Sequence, residues 1–139
     1  MKPALLGGIA CGFNFGLLAF NGCFTNAAAI AEGNPDMFSP FGQLMILVWG
    51  LVFLAAGLSE AGSIVWFAFA AEKLCYAVGW LRWMAANPDA WSHVTAAWSS
   101  GGGAVNAIPH LFHVVYGPGD ALFMLAFLHQ ALAGKPKRE

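Results

Sequence analysis

Charge is scarce in this chain. Asp, Glu, Lys and Arg make up 9% of its 139 residues, where soluble domains carry about 25%. A soluble bundle of this length would need far more charge to stay dispersed. The net charge is −1 and the six Lys and Arg are scattered or terminal, so no basic field exists to hold nucleic acid. Cysteine is sparse too: Cys11, Cys23 and Cys75 show neither CxxC nor zinc spacing. That argues against a disulfide framework, and Cys11 and Cys75 read as small apolar side chains. There is no P-loop, dinucleotide fingerprint or HExxH. Trp98-Ser99-Ser100-Gly101 lacks the strand–turn–helix setting of a nucleophile elbow. No inverted repeat is evident, which disfavours a stand-alone transporter.

What is present is apolar bulk, at 59% of residues. A spanning helix needs about 20 mainly apolar residues, and four stretches qualify: 3–22, 40–58, 62–86 and 109–134. The expected fold is therefore all-α, a single-domain, integral membrane four-helix bundle. Ser39-Pro40 and Ile108-Pro109 have the form of helix starts, the second after Gly101-Gly102-Gly103. Gly134-Lys135-Pro136 has the form of a stop. The short link from Leu58 to Gly62 makes the second and third spans an antiparallel hairpin.

Lys2 flanks the first span, and Lys135, Lys137 and Arg138 follow the fourth. The two long loops, 23–39 and 87–108, hold Glu32, Asp36 and Asp89 but no Lys or Arg. The positive-inside rule then puts both termini in the cytoplasm and both loops outside. A bacterial inner membrane is expected, or an endomembrane in a eukaryote, where Lys135-Pro136-Lys137-Arg138-Glu139 also fits a KxKxx retrieval signal. Lys2, the apolar run and Asn26-Ala27-Ala28-Ala29 have the outline of a cleavable signal peptide, but a retained span is the expectation. Each outer loop should carry a short interfacial helix. One runs through Ala27–Glu32; the other starts at Asn87-Pro88 and sets Trp91, Val94 and Trp98 on one face. Together they would form an anchor or a lid.

Polarity enters the apolar spans at a few positions. Asn14 lies mid-way along the first, Glu72 and Lys73 along the third, and Asp120 along the fourth. A charge at the bilayer centre costs about 2.5–3.5 kcal/mol on insertion scales, so it persists where it pairs or where function needs it. On the fourth span Asn106, His110, His113, Gly117 and Asp120 form one stripe from the outer surface to mid-depth. On the third, Glu72, Cys75, Tyr76, Gly79 and Arg82 share a side, with Lys73 rotated by about 100°. On the first, Gly7, Cys11, Asn14, Leu18 and Asn21 share a face.

Turning these faces inward assembles a pocket from Asn14, Glu72, Lys73, Tyr76, His113 and Asp120. Lys73 and Asp120 would form the orienting pair, and Glu72, the surplus acid, would titrate. Such a site suits binding, carrying or protonating a small apolar or amphipathic ligand, in a pocket lined by Phe69, Tyr76 and Trp80. The plainer reading is a polar clamp between helices. Two other classes compete: an accessory subunit of a larger complex, and a membrane-embedded enzyme with Glu72 or Asp120 as acid or base. No cofactor is named by the sequence. Bis-histidine haem is disfavoured, because His110, His113 and His129 share one span and His93 lies in a loop. A surface metal site from His93, His110, His113 and a loop acid is a minor alternative, and no metal is expected. Ala4, Gly8, Gly12 and Gly16 repeat every four residues on the first span. That ridge would meet a second copy, a partner helix, or the second or fourth span of the same chain.

Overall fold

The computed structural model describes residues 1–133. The Gly134-Lys135-Pro136 stop, the basic cluster of Lys135, Lys137 and Arg138 and the retrieval-like tail lie outside the described residues. Within them the chain is all helical, without strands, and four stretches are long and apolar enough to cross a membrane. The first is α1 (Pro3–Phe15) continued by α2 (Leu17–Phe20). Between them the Gly16 N–H is shared by the carbonyls of Gly12 (2.9 Å) and Phe13 (3.0 Å), a local tightening from four-residue to three-residue spacing. The first long loop holds α3 (Ala27–Gly33) and α4 (Pro35–Phe38). The second and third spans are α5 (Pro40–Leu58) and α6 (Ser63–Ala86), followed by α7 (Ala90–Ser99) and the fourth span, α8 (Ala104–Ala133).

Local chemistry sets the ends. The Ser39 Oγ accepts the Gly42 N–H at 3.1 Å and caps α5, with Pro40 in the first turn where no N–H is needed. At the other end the Ala61 N–H donates to the Ala56 carbonyl (2.9 Å) and the Glu60 N–H to that of Gly57 (3.4 Å). This is a Schellman stop, with Glu60 at φ 51° where glycine is usual. Helix α8 begins before Pro109, earlier than its sequence suggests. The missing N–H of Pro109 leaves only the carbonyl of Val105 without its helical donor, and Val105 is exposed. With 30 residues, α8 is about 45 Å long, against about 30 Å of hydrocarbon. Its first half packs against α7.

The spans pack chiefly as two close pairs, α1 with α5 and α6 with α8. Backbones nearly touch in the first pair. A Cβ on Gly57 would fall 2.7 Å from the Pro3 carbonyl oxygen, one on Gly50 3.2 Å from the Asn14 Cβ, and one on Gly7 would collide with the Phe53 carbonyl. Gly8 and Gly12 have nothing within 4 Å of such a position, so these two members of the ridge do not pack on other spans of the chain, whereas Ala4 lies against Gly57 of α5. Between the pairs, Phe53 meets Phe69 edge-on (4.8 Å) and Phe127 at a tilt (5.0 Å), with Trp66 closing the cluster. A second core of Leu17, Ile30, Phe38, Phe112 and Tyr116 lies toward the loop helices.

Helix α7 packs on the bundle through its small residues. It buries Ala90 and Val94 against Trp83, Met84, Leu111 and Val114, while Trp91 and Trp98 stay exposed. Small side chains permit the close contact with α8 that an indole on the same line would prevent.

Candidate functional site

The two aromatic cores leave a polar layer between them, centred on Lys73. The Lys73 side chain is 3% exposed, and its Nζ lies 2.8 Å from the Asp120 Oδ1. It also donates to the Asn14 Oδ1 at 3.0 Å. Asn14 is fixed in turn by donating from its Nδ2 to the Ile46 carbonyl at 2.8 Å. Ring faces of Phe53 (5.2 Å), Phe13 (5.6 Å) and Tyr76 (5.6 Å) surround the ammonium. Elements α1, α5, α6 and α8 thus meet at one side chain.

Glu72 stands apart from this arrangement. Its Oε2 is 3.8 Å from the Lys73 Nζ, beyond hydrogen-bond range, and buried without a hydrogen-bond partner. The rotation of α6 explains why. Trp66, Phe69, Ala70, Lys73 and Ala77 are buried, whereas Cys75 and Arg82 are exposed and Glu72, Tyr76 and Gly79 are intermediate. The inward face is therefore the Lys73 face and not the expected Glu72–Arg82 side. Burying Trp66 and Phe69 against the core sets that rotation.

Next to the ammonium lies a cavity of about 270 Å³. Its floor is Asn14, Lys73, Tyr76 and Asp120; its walls include Phe13, Leu17, Phe20, Phe38, Ile46, Phe112 and Tyr116. Of the six residues expected to form one pocket, four line this cavity; Glu72 and His113 do not. Phe13 and Val115 are the exposed lining residues, and they belong to α1 and α8. The cavity thus opens sideways between the first and fourth spans. At the edge of that seam Gly119 lies directly against the Phe13 ring.

No protein-family model, curated protein or solved structure matches the chain.

Of the aromatic residues expected to line the pocket, Tyr76 does so, and Phe69 and Trp80 do not. Pro118 sits inside α8 and has no N–H to give the Val114 carbonyl. The Trp80 indole N–H supplies the replacement, donating to the carbonyls of Val114 and His113, both at 3.1 Å. Gly117 makes room for that indole. A proline inside an apolar span was the available signal, since a freed carbonyl there needs a donor.

The loop-helix end is closed by Gln43, a fully buried polar residue. Its Nε2 donates to the carbonyls of Ala27 (2.8 Å) and Phe38 (2.9 Å), and its Oε1 accepts from the Asn21 Nδ2 (3.1 Å). This network pins Phe38 over the cavity.

His113 faces elsewhere. It is 2% exposed, held among Phe38, Phe112 and Trp83 beside the Ile30 backbone, with Gly33 against its Nε2. It borders two hollows near α3 and α7, each of which also touches Glu32 and His110. Among the described residues, no group of three or more His, Cys, Asp or Glu could hold a metal ion. His93 and His110 rings lie 6.3 Å apart.

Proposed function

We propose that this chain is an integral membrane protein that binds a small apolar or amphipathic ligand, drawn from the bilayer through the seam between α1 and α8. The observation that carries this reading is the half-open aromatic cavity ending on the buried Lys73–Asp120–Asn14 cluster. A volume near 150 Å³ suffices for benzene in an apolar cavity, so about 270 Å³ accommodates a ring with a substituent chain. Apolar walls with a few convergent polar groups are the usual makeup of a ligand site. The Gln43 network supports access from the lipid, because it closes the end under α4 while the exposed lining residues face sideways. Both termini are assigned to the cytoplasm and both long loops to the outer side, supported by Lys2 and by loops free of Lys and Arg.

Photolabelling tests the reading. A phenylalkyl alcohol bearing a diazirine should mark Phe13, Leu17, Phe20, Phe112 or Tyr116, mapped by mass spectrometry of the full chain in detergent. Leu17→Trp, which fills the cavity, should abolish those adducts. Adducts distributed instead over lipid-facing positions such as Leu51 and Leu125 would overturn it.

A second reading, a subunit that docks through α1, is favoured by one observation: the bare backbone at Gly8 and Gly12. Cysteines placed at those positions should crosslink two copies or a copurifying partner, and only uncrosslinked single chains would sink it.

A further inference from the structure

We infer that the ligand carries a cationic amine head and sets it against Asp120, with its apolar body along the aromatic walls. This rests on the ligand-binding reading above and adds the charge of the ligand. The polar layer holds two carboxylates, Glu72 and Asp120, against the single ammonium of Lys73. Tyr76 and Tyr116 are the other titratable groups lining the cavity, and neither adds positive charge. With both acids ionised, one further cation would balance the layer. An anion would meet the surplus carboxylate.

Asp120 is placed to receive that cation. It is 4% exposed and lines the cavity. Its Oδ1 forms the ion pair with Lys73, at 2.8 Å. The walls suit an ammonium as well. Lys73 already lies over the rings of Phe13, Phe53 and Tyr76, and Phe20, Phe38, Phe112 and Tyr116 present further rings to the empty volume. Glu72 sits behind Lys73 and outside the cavity, so it acts on the ligand through charge and not through contact.

Three probes with the same phenyl ring and four-methylene chain but different head charge provide the test: phenylbutylamine, phenylbutanol and phenylpentanoate. Their binding to the purified full chain in neutral detergent is measured by equilibrium dialysis at neutral pH. The amine should bind about tenfold tighter than the alcohol, as a charge-assisted hydrogen bond implies, and the carboxylate weakest. Asp120→Asn should erase the preference for the amine. Should that variant misfold, Glu72→Gln decides, because it lowers the amine-to-alcohol affinity ratio while leaving the cavity lining intact. A general loss of structure would weaken both probes alike. Equal or tighter binding of the alcohol or the carboxylate overturns the inference and leaves the cavity reading standing. No binding by any of the three overturns both.

Discussion

Replacing Lys73 and Asp120 singly and together separates a structural ion pair from a ligand site. The two side chains are 3% and 6% exposed with 2.8 Å between charged atoms, so neither finds water when its partner is removed. Removing one partner of such a buried pair costs about 3–5 kcal/mol, because a charge is left uncompensated. Lys73→Met should fall at the upper end of that range, since it leaves Glu72 and Asp120 together without a cation. Asp120→Leu should fall at the lower end, because Asn14 still accepts from Lys73 and Glu72 remains 3.8 Å away. The double variant Lys73→Met, Asp120→Leu removes both charges and offers apolar replacements of similar volume. Buried pairs exchanged in this way are often neutral or stabilising, so it should return to within about 2 kcal/mol of the parent.

Reversible unfolding in mixed micelles, followed by circular dichroism, gives the four stabilities of the cycle. A double variant as damaged as the sum of the singles would refute the pairing argument. Ligand binding gives the second axis. The double variant should be folded and yet have lost its preference for an amine, an outcome that a purely structural clamp does not produce.

Other outcomes follow from single contacts. Trp80→Phe should cost about 1 kcal/mol by stranding the carbonyl of Val114. The loss should shrink when Pro118→Ala restores an N–H to Val114, and unchanged cost in the double variant would refute the link. Gly7→Ala should destabilise by roughly 1–3 kcal/mol through collision with Phe53. Gly12→Ala, with open space around it, should stabilise an isolated chain by about 0.5–1 kcal/mol in the same unfolding assay. Ser39→Ala should lose about 1 kcal/mol with the cap to Gly42. For topology, exposed Cys23 in a Cys11→Ser, Cys75→Ser background should react with an impermeant maleimide on intact cells. Labelling only after permeabilisation would reverse the assigned orientation.

Spans were legible in the sequence because a run of about 20 apolar residues has few other uses. The start at Ser39-Pro40 was legible for a similarly local reason, a hydroxyl followed by a residue with no N–H. The rotation of α6 was not. In a soluble helix polarity marks the outer face, but lipid is as apolar as the core, so α6 is apolar all round and its pattern does not say which side turns in. Glu72 and Lys73 are neighbours in sequence, and only the bulk of Trp66 and Phe69 decides that Lys73 enters the core. The cavity wall was hidden for another reason. Phe38 arrives from a four-residue helix in a loop, held by Gln43, and no periodicity connects either residue to Asp120.

Clamp and pocket are not exclusive here, and the packing explains why. The two close pairs, α1 with α5 and α6 with α8, each approach along small or well-fitted surfaces, and the seams between them are wide. One seam is filled by Phe53, Trp66, Phe69 and Phe127. The other holds the cavity, and across it the cluster of Lys73, Asn14 and Asp120 ties the pairs together at mid-depth. A bundle that filled both seams with rings would have no need of a buried ion pair. A bundle that left the second seam empty without a polar tie would hold α1 beside α8 chiefly through Phe13, which packs on Phe123 and Gly119. The ion pair therefore makes an open seam tolerable, and the open seam leaves Asp120 facing a volume that a ligand can enter. A substitution that fills the seam, such as Leu17→Trp, should for that reason lessen the stability cost of Asp120→Leu even as it abolishes binding. Undiminished cost in the combined variant, measured by the same unfolding assay, would show that the tie and the cavity are independent.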